Sequence, residues 1–572
     1  MVDTANIVKE ASKKLIAKSN FTALDFVVMA AYILAILGMG IWFSIAAKKA
    51  KETNSDDYFT GGSKIPTWVI GFSIWATTLS AITFIALPAN AYNNGWLFAF
   101  SQLTIIIFAP VLIKFVIPFF RRMKESTAYA YLHARFHYAL RAFSSILFIL
   151  FHIFRMGIVL YIPANALSLV VPLDPWVLVI IMGVVVVITT YLGGQRGVLW
   201  QDAIQGIILL LGIVLIIVFS LYNIFGTGNG TNGKESIKYA QLLKASDLHV
   251  TLVGIGIPLI LVSRYIEVIY TYVGGQDVVQ RYKASKKTTN INKSIWINAG
   301  LALITILLFY GAGSALYTYY DGMAITQIDP AIKHTNQLVP YFIFTVLPTG
   351  IAGLIISAVF AASQSTMSSS LSSLVNSIIV DFVKVFAKKF SNNEKKLFLL
   401  SKILIGAFGA FGVICGIAFT LTNLGDIINY FLGVVGLFGA PTAAIFMLGM
   451  FTKRTSWISA LIGMVTGFLV GLIIWIFSTP DFVGGKEFVK FNSGWVGVFG
   501  FFVTLLVGYL TSFIFPNKKN ITNLSWHTLT PEFKELIALE KTIEKAAKKK
   551  QNADKEILRY DELIRKLEMS AE

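Results

Sequence analysis

A run of hydroxyl and small residues has the composition and spacing of a site for a metal cation. Four of these residues recur at i, i+3, i+4 and i+7, which puts them on one face of a helix, and a fifth adjoins that face. They are Ala362, Ser365, Thr366 and Ser369, with Ser368 beside them. Oxygen ligands suit a hard cation such as Na⁺. The alternative is structural, because small residues also let membrane helices approach closely.

A second group of hydroxyl residues lies in the middle of an earlier apolar stretch. It contains Thr77, Thr78, Ser80 and Thr83 and is followed by Pro88. A helix that opens here would turn backbone carbonyls and hydroxyls towards a cavity, which is where a membrane tolerates irregular backbone.

One arginine lies deep inside an apolar stretch. Arg155 is about fifteen residues from either end of its stretch, too far to reach an interface by snorkelling. A charge at this depth is costly and therefore a functional candidate. Its guanidinium could hold a carboxylate through two parallel hydrogen bonds. The alternative is an internal ion pair, for example with Glu267.

Further charged residues within apolar stretches include Asp202, Arg264 and Glu267. Asp202 is a functional candidate, or a residue near a helix start that pairs with Arg196. Arg264 and Glu267, at i and i+3, could neutralise each other on one helix face. This spacing favours a structural or gating pair.

The composition indicates a polytopic membrane protein. Of 572 residues, 56% are hydrophobic and 14% are charged, whereas soluble domains carry about 25% charged residues. This excludes a cytosolic enzyme, a disordered chain and a nucleic-acid binder. The net charge of +18 agrees with a membrane protein, because inward-facing loops collect Lys and Arg. The single cysteine excludes a disulfide framework and a cysteine-bound metal.

Thirteen apolar stretches are long enough to cross about 30 Å of hydrocarbon as helices. They are predicted near 23–45, 67–92, 97–120, 140–170, 174–193, 197–224, 250–273, 293–319, 350–381, 399–423, 426–450, 456–477 and 494–515. Alternate loops carry 21 Lys and Arg residues in one set and 6 in the other. The positive-inside rule then predicts an N-terminus outside and a C-terminus inside.

The last region of the chain, 516–572, is charged rather than apolar. Ile557, Tyr560, Ile564 and Leu567 recur there at helical spacing, which predicts a cytoplasmic amphipathic helix or a helical pair. Such a tail either binds a partner or lies solvated on the protein or membrane surface.

Several segments, taken in chain order, resemble the sodium:solute symporter family, whose bacterial members include sugar, proline and sialic acid transporters. The matching segments are Asp57-Tyr58-Phe59, Gly61-Gly62-Ser63, the stretch 78–84, Tyr191-Leu192-Gly193-Gly194, Trp200-Gln201-Asp202-Ala203-Ile204-Gln205, Gly274-Gly275-Gln276-Asp277, Gln280-Arg281 and the stretch 365–369. Each motif is weak alone, but their common order makes the resemblance specific.

The resemblance implies an all-α membrane protein with the LeuT-type fold, in which two inverted five-helix repeats hold the binding site at the midplane beside broken helices. The implied order is an extracellular segment 1–22, an extra first helix 23–45, repeats 67–224 and 250–450, two terminal helices 456–515 and the tail 516–572.

The resemblance also implies three binding sites. The first sodium site would use the carbonyls of Ala76, Leu79 and Ala362 with the hydroxyls of Ser365 and Thr366, the last being Ser in some members. The second sodium site, expected in the sialic acid branch, would use Asp202, Ser365, Ser368 and Ser369. The substrate pocket of that branch maps to Thr78, Ser80, Thr83, Phe98, Gln102 and Arg155.

The implied function is sodium-coupled import of a small carboxylate-bearing solute by alternating access across a bacterial cytoplasmic membrane. Sialic acid is favoured, with Na⁺ as the co-transported ion at two sites. Proline, pantothenate, another monocarboxylate or a sugar remain alternatives. A neutral sugar would leave Arg155 unpaired in a low-dielectric site, at a cost of several kcal/mol, so an anion is preferred.

Two other classes of membrane protein, a solute sensor and an enzyme, agree less well with the sequence. A membrane solute sensor would need a signalling domain, and the tail is too short for a kinase. A membrane enzyme is not expected, because the sequence places no Ser/His/Asp set at mid-membrane depth. His152 is the one histidine well inside a predicted span, and it either lines the same cavity as Arg155 or is a buried core group.

Overall fold

The computed structural model describes most of the chain. The described residues are 20–49, 55–63, 65–123, 126–168, 173–226, 256–285, 287–329, 332, 335–387, 393–422, 427–478, 492–548 and 553–567. Predictions that concern the N-terminal segment before residue 20, the segment 227–255 and the segment 479–491 lie outside these residues.

The described residues form an all-helical bundle without a named strand. Eleven helices are long and apolar enough to cross a membrane, or twelve if one bent pair counts as a span. The eleven are Ala23–Ala46, Ala99–Arg121, Tyr138–Leu167, Pro175–Phe225, Ile257–Gly274, Thr288–Tyr319, Ile351–Phe386, Glu394–Leu421, Tyr430–Phe451, Trp457–Phe477 and Gly494–Thr511. Shorter helices include Ser55–Thr60, Tyr129–Arg135, Gln276–Val279, Ile325–Ile328 and Leu338–Thr345.

The bent pair lies at the predicted break among the hydroxyl residues. Thr67–Thr78 and Ala81–Asn94, here called the broken helix, are bent by 65°. Leu79 has extended backbone angles (φ −98°, ψ 111°), and so has Ser80 (φ −105°, ψ 174°). The carbonyls of the last turn of a helix have no intrahelical partner, so this break makes carbonyl oxygens available inside the bundle.

A second irregularity lies inside Pro175–Phe225, which joins two of the predicted spans. Gly194 interrupts it with non-helical angles (φ 53°, ψ −165°). A Cβ at this position would lie 2.6 Å from the Tyr58 ring, and a positive φ is rare for other residues. The helix is therefore interrupted at Gly194, where any other residue would be strained.

Four long helices each contain a single π-helical segment. These segments are Leu112–Val116, Tyr270–Gly274, Ile306–Tyr310 and Ile378–Val383. Such segments occur mostly singly and often at functional sites. Tyr270–Gly274 leads directly into residues 274–283, which are called the Gly-Gly segment below.

Glycines set the closest approach between the last two long helices. A Cβ added at Gly463 would lie 2.7 Å from the backbone of Gly508 and from the Thr504 carbonyl. We expect Gly463→Ala to destabilise the protein by about 1–3 kcal/mol, because overpacking forces the backbones apart. The measurement is the thermal unfolding midpoint in detergent.

The matched control for this prediction is Gly406→Ala. Gly406 is also helical, but a Cβ there meets nothing within 4 Å. Since alanine has the higher helix propensity, its midpoint should be unchanged or slightly higher. Equal midpoints for the two variants would contradict the close packing at Gly463.

The tail folds as a helical pair against the bundle. Its helices are Pro531–Lys548 and Asp554–Lys566, and Arg559 joins them through an ion pair to Glu535 at 2.9 Å. Tyr560 is buried on the predicted amphipathic face. The Trp526 indole donates to the Phe115 carbonyl at 3.2 Å, which ties the start of the tail to a membrane helix.

Candidate functional site

A central cavity lies between the broken helix, Tyr138–Leu167 and Ile257–Gly274. Its volume is about 190 Å³. All six residues predicted to contact the substrate line it: Thr78, Ser80, Thr83, Phe98, Gln102 and Arg155. Further lining residues that the sequence did not single out for the substrate include Trp75, Phe151, Tyr270, Tyr272, Asp277 and Asn298.

The break positions the small hydroxyls of the cavity. Thr78 ends the first half of the broken helix, and its hydroxyl donates to the Trp75 carbonyl at 2.8 Å. The Ser80 backbone N–H donates to the Thr83 hydroxyl at 3.4 Å. These local bonds hold short polar side chains at a point where the backbone cannot continue as a helix.

Arg155 is buried at the cavity wall and is held by two partners. Its Nη1 donates to Asp277 Oδ2 at 2.9 Å, and its Nη2 donates to the Thr77 carbonyl at 2.6 Å. Its Nε is buried without a hydrogen-bond partner in the described part of the chain. The arginine is therefore fixed in orientation, and one of its donors has no partner among the described residues.

Arg155 forms the internal ion pair that the sequence analysis gave as an alternative, but its partner is Asp277 and not Glu267. Glu267 instead pairs with Arg264 at 2.6 Å, which is the i, i+3 pair that the sequence predicted. Arg264 and Glu267 both line the cavity. The cavity thus contains two guanidinium groups, each beside one carboxylate.

His152 lies next to the Arg155 pair. Its Nε2 is 4.0 Å from Asp277 Oδ2, and within the described residues neither ring nitrogen has a hydrogen-bond partner. It is not among the residues that line the cavity, so it packs behind the wall as a core group.

Asp202 pairs with an arginine that the sequence did not assign to it. Arg281 Nη2 donates to Asp202 Oδ2 at 2.8 Å, so the predicted alternative pairing with Arg196 is wrong. The Ser73 and Ser369 hydroxyls donate to the same oxygen at 2.6 and 3.1 Å. The other oxygen, Oδ1, is buried without a partner in the part that the structure describes.

Of the serines predicted for the second sodium site, Ser369 is the one with a recorded hydrogen bond to Asp202 in the described part of the chain. Ser369 contacts Asp202 directly, while the Ser368 hydroxyl donates to the Ser365 carbonyl at 3.1 Å. The Ser365 hydroxyl, like Asp202 Oδ1, is buried without a partner among the described residues. A buried polar oxygen without a partner is costly, and two such atoms in this set are the kind of ligand that a small hard cation binds.

The residues predicted for the first sodium site lie in two facing segments. Ala76 and Leu79 lie at the end of the first half of the broken helix, and Ala362 and Thr366 lie on Ile351–Phe386, together with Ser365. The Thr366 hydroxyl donates to the Ala362 carbonyl at 3.0 Å. The two segments meet close by, where the Thr77 and Ser369 hydroxyls are 3.1 Å apart.

Sequence reasoning missed the roles of two charged residues in the Gly-Gly segment. Both belong to motifs that the family resemblance matches, but the sequence assigns neither to a binding site. Both are buried. The available signal was an acid and a base at i and i+4, beginning two residues after Gly275, a spacing that is compatible with an internal charge pair.

Comparisons with known proteins identify a family model and similar sequences. A model of the sodium:solute symporter family matches residues 58–467. The chain is 34% identical over 513 residues to the sodium/sialic acid symporter NanT of Aliivibrio fischeri, covering 90% of this chain and 97% of that protein. It is 34% identical over 503 residues to the sodium/sialic acid symporter SiaT of Proteus mirabilis, covering 88% and 97%.

A solved structure gives the same picture of the fold. It is described as the substrate-bound outward-open state of a Na⁺-coupled sialic acid symporter with a novel Na⁺ site. This chain superposes on it with a TM-score of 0.77 at 32% sequence identity, covering 87% of this chain and 100% of that one.

Proposed function

This chain belongs to the sodium:solute symporter family, and on that premise we propose that it is a sodium-coupled symporter that imports sialic acid by alternating access. The observation that carries the proposal is the buried Arg155 at the wall of a cavity lined by small hydroxyls. An arginine suits the substrate carboxylate, and hydroxyl and amide groups suit the polyol and the N-acetyl group.

The proposed topology has thirteen spans and the LeuT-type repeats 67–224 and 250–450. Pro175–Phe225 has 51 residues, which at 1.5 Å each gives about 75 Å. This is more than twice the hydrocarbon thickness of about 30 Å. Dividing this helix at Gly194 gives two spans, and counting the broken helix as one gives thirteen, with the N-terminus outside a bacterial cytoplasmic membrane.

In this topology the cavity reaches towards the outer face. Leu259, Phe431 and Gly494 line it, and each lies near the start of a helix whose first residues the topology places outside. A solute that enters from outside therefore meets the Arg264–Glu267 pair and Arg155 in one continuous cavity.

Sodium binding would couple to the solute through the break. We assign Ala76, Leu79, Ala362, Ser365 and Thr366 to a first site and Asp202, Ser365, Ser368 and Ser369 to a second. An ion at the first site would hold the broken helix against Ile351–Phe386 and so order the hydroxyls at Thr78 and Ser80. The ion gradient can then act only through the difference in affinity between the outward and inward states.

The test is uptake of labelled N-acetylneuraminate into proteoliposomes under an inward Na⁺ gradient, with K⁺ replacing Na⁺ in the control. We expect accumulation with Na⁺ only. Two sodium ions with one monoanion carry a net positive charge, so an inside-negative potential should increase uptake. Each net charge contributes about 2.3 kcal/mol at about 100 mV.

Competition assigns the substrate within this experiment. An excess of unlabelled N-acetylneuraminate should abolish the signal, whereas proline, pantothenate and neutral sugars should leave it intact. Absence of accumulation by folded protein would contradict sialic acid as the substrate. Loss of the signal with one of the competitors would indicate that this competitor also occupies the cavity.

A further inference from the structure

Four buried charges form an alternating row between the substrate cavity and the second sodium site. Arg155 pairs with Asp277 at 2.9 Å, and Arg281 pairs with Asp202 at 2.8 Å. Arg281 also donates through Nη1 to the backbone carbonyl of Asp277. The row has two positive and two negative groups, so it is neutral as a whole.

The two middle members of this row lie on the same short segment. Asp277 and Arg281 are at i and i+4 in the Gly-Gly segment, on the helix Gln276–Val279 and the 3₁₀ turn Gln280–Lys283. Residues at this spacing are neighbours on a helix surface. In the structure, however, the two side chains do not pair with each other. Asp277 pairs with Arg155 of the proposed substrate site, and Arg281 pairs with Asp202 of the proposed second sodium site.

Either cargo alone would disturb this row. A substrate carboxylate at Arg155 would compete with Asp277 and leave that acid without its partner. A sodium ion at Oδ1 of Asp202, which has no partner among the described residues, would share this carboxylate with Arg281 on Oδ2, and the two positive charges would repel each other. Arg281 also donates to Ser369 at 2.6 Å and to Ser73 at 2.9 Å. An uncompensated buried charge is strongly unfavourable, so each binding event alone is opposed.

Both cargoes together remove the conflict. The substrate releases Asp277, the sodium ion releases Arg281, and the two released groups have opposite charge and suitable spacing to pair with each other. We propose, on the basis of the proposed function, that Asp277 and Arg281 are exchangeable internal partners that make binding of the substrate anion and of the second sodium ion mutually dependent.

The exchange assigns positioning roles to two residues outside the predicted sites. Asp277 is the ion-pair partner of Arg155 until the substrate anion takes its place. Arg281 is the ion-pair partner of Asp202 until a sodium ion takes its place. Coupling between two sites is reciprocal, so sodium strengthens binding of the anion by the same factor as the anion strengthens binding of sodium. A neutral solute would not release Asp277 and would not benefit from the second ion.

The experiment measures N-acetylneuraminate affinity by calorimetry at low and high Na⁺ with purified full-length protein. The ratio of the two dissociation constants is the coupling factor. We expect Asp277→Asn and Arg281→Gln each to lower this factor about fivefold or more, within the usual range of site–site coupling. The double variant should lower it no further, because both changes remove the same exchange.

A second readout uses sodium without the sugar. Thermal stabilisation by NaCl, with choline chloride as the control salt, reports ion binding directly. In Arg281→Gln the internal competitor at Asp202 is gone, so the Na⁺ midpoint should fall about fivefold or more. Asp381→Asn is the matched control for removal of a buried charge, since Asp381 pairs with Arg141 at 2.8 Å outside this row, and it should keep the wild-type coupling factor.

Distinct results separate the two ideas. A wild-type protein that does not bind N-acetylneuraminate contradicts the proposed function. An unchanged Na⁺ midpoint in Arg281→Gln, or a coupling factor that stays at the wild-type value in both single variants, contradicts the exchange even if sialic acid is transported. Additive losses in the double variant would also contradict it, because they would indicate two independent effects.

Discussion

Replacing Arg155 with alanine is expected to reduce N-acetylneuraminate uptake about 100-fold or more. The change removes a buried guanidinium that the structure holds between Asp277 and the Thr77 carbonyl. Truncating one partner of a buried, hydrogen-bonded charge pair costs about 2–5 kcal/mol. Arg155→Lys should recover only a small part of the activity, because an ammonium group does not present two parallel donors to a carboxylate. Initial uptake rates over a range of substrate concentrations measure both variants.

The second guanidinium of the cavity supplies the matched control. Arg264 lines the same space but pairs with Glu267, and the proposal gives it no contact with the substrate carboxylate. Arg264→Ala should therefore lower uptake much less than Arg155→Ala. If Arg264→Ala lost as much activity while Arg155→Ala retained it, the carboxylate would have to bind at the other end of the cavity.

Replacing Asp202 with asparagine is expected to remove the second sodium ion from the transport cycle. Asparagine has nearly the same shape, but it lacks the charge that now receives Arg281, Ser73 and Ser369. The Hill coefficient for sodium should fall from about two towards one, since it is limited by the number of sites. Parallel uptake of ²²Na⁺ and labelled substrate gives the stoichiometry directly.

A neighbouring hydroxyl provides the control for this change. The Ser370 hydroxyl is buried on the helix that carries Ser369, has no partner among the described residues and belongs to neither proposed sodium site. Ser370→Ala should keep the wild-type sodium dependence. An Asp202→Asn protein that still moves two sodium ions per substrate would rule out the second site.

The sequence could predict much of the helical organisation because membrane burial imposes simple rules. A span must be apolar over about 20 residues, so the boundaries of most helices follow from hydropathy alone. The break in the second predicted span followed from the same rule, since the hydroxyl run at 77–83 is polar where the membrane requires satisfied backbone groups. Local composition was therefore sufficient to predict that the helix breaks near Leu79 and Ser80.

Long-range pairing could not be predicted in the same way. The partner of Arg155 lies 122 residues away and the partner of Asp202 lies 79 residues away, and no local spacing identifies either. Arg281 and Arg135 lie between predicted spans, where the sequence predicts cytoplasmic loops. Both are buried, and Arg135 donates to the carbonyls of Gly449, Thr452 and Thr455 at a helix end. The number of Lys and Arg residues in a loop cannot separate such buried cations from exposed ones.

The π-helical segment Tyr270–Gly274 has a consequence for how protein sequences of this kind are compared. Its wider i→i+5 turn accommodates one residue more than an α turn, and each residue rotates the following helix face by about 100°. A relative that lacks this extra residue would need a one-position gap here for its side chains to match Asp277 and Arg281. An ungapped alignment would instead pair chemically unrelated positions. The placement of a gap at this turn therefore determines which charged residues are treated as equivalent.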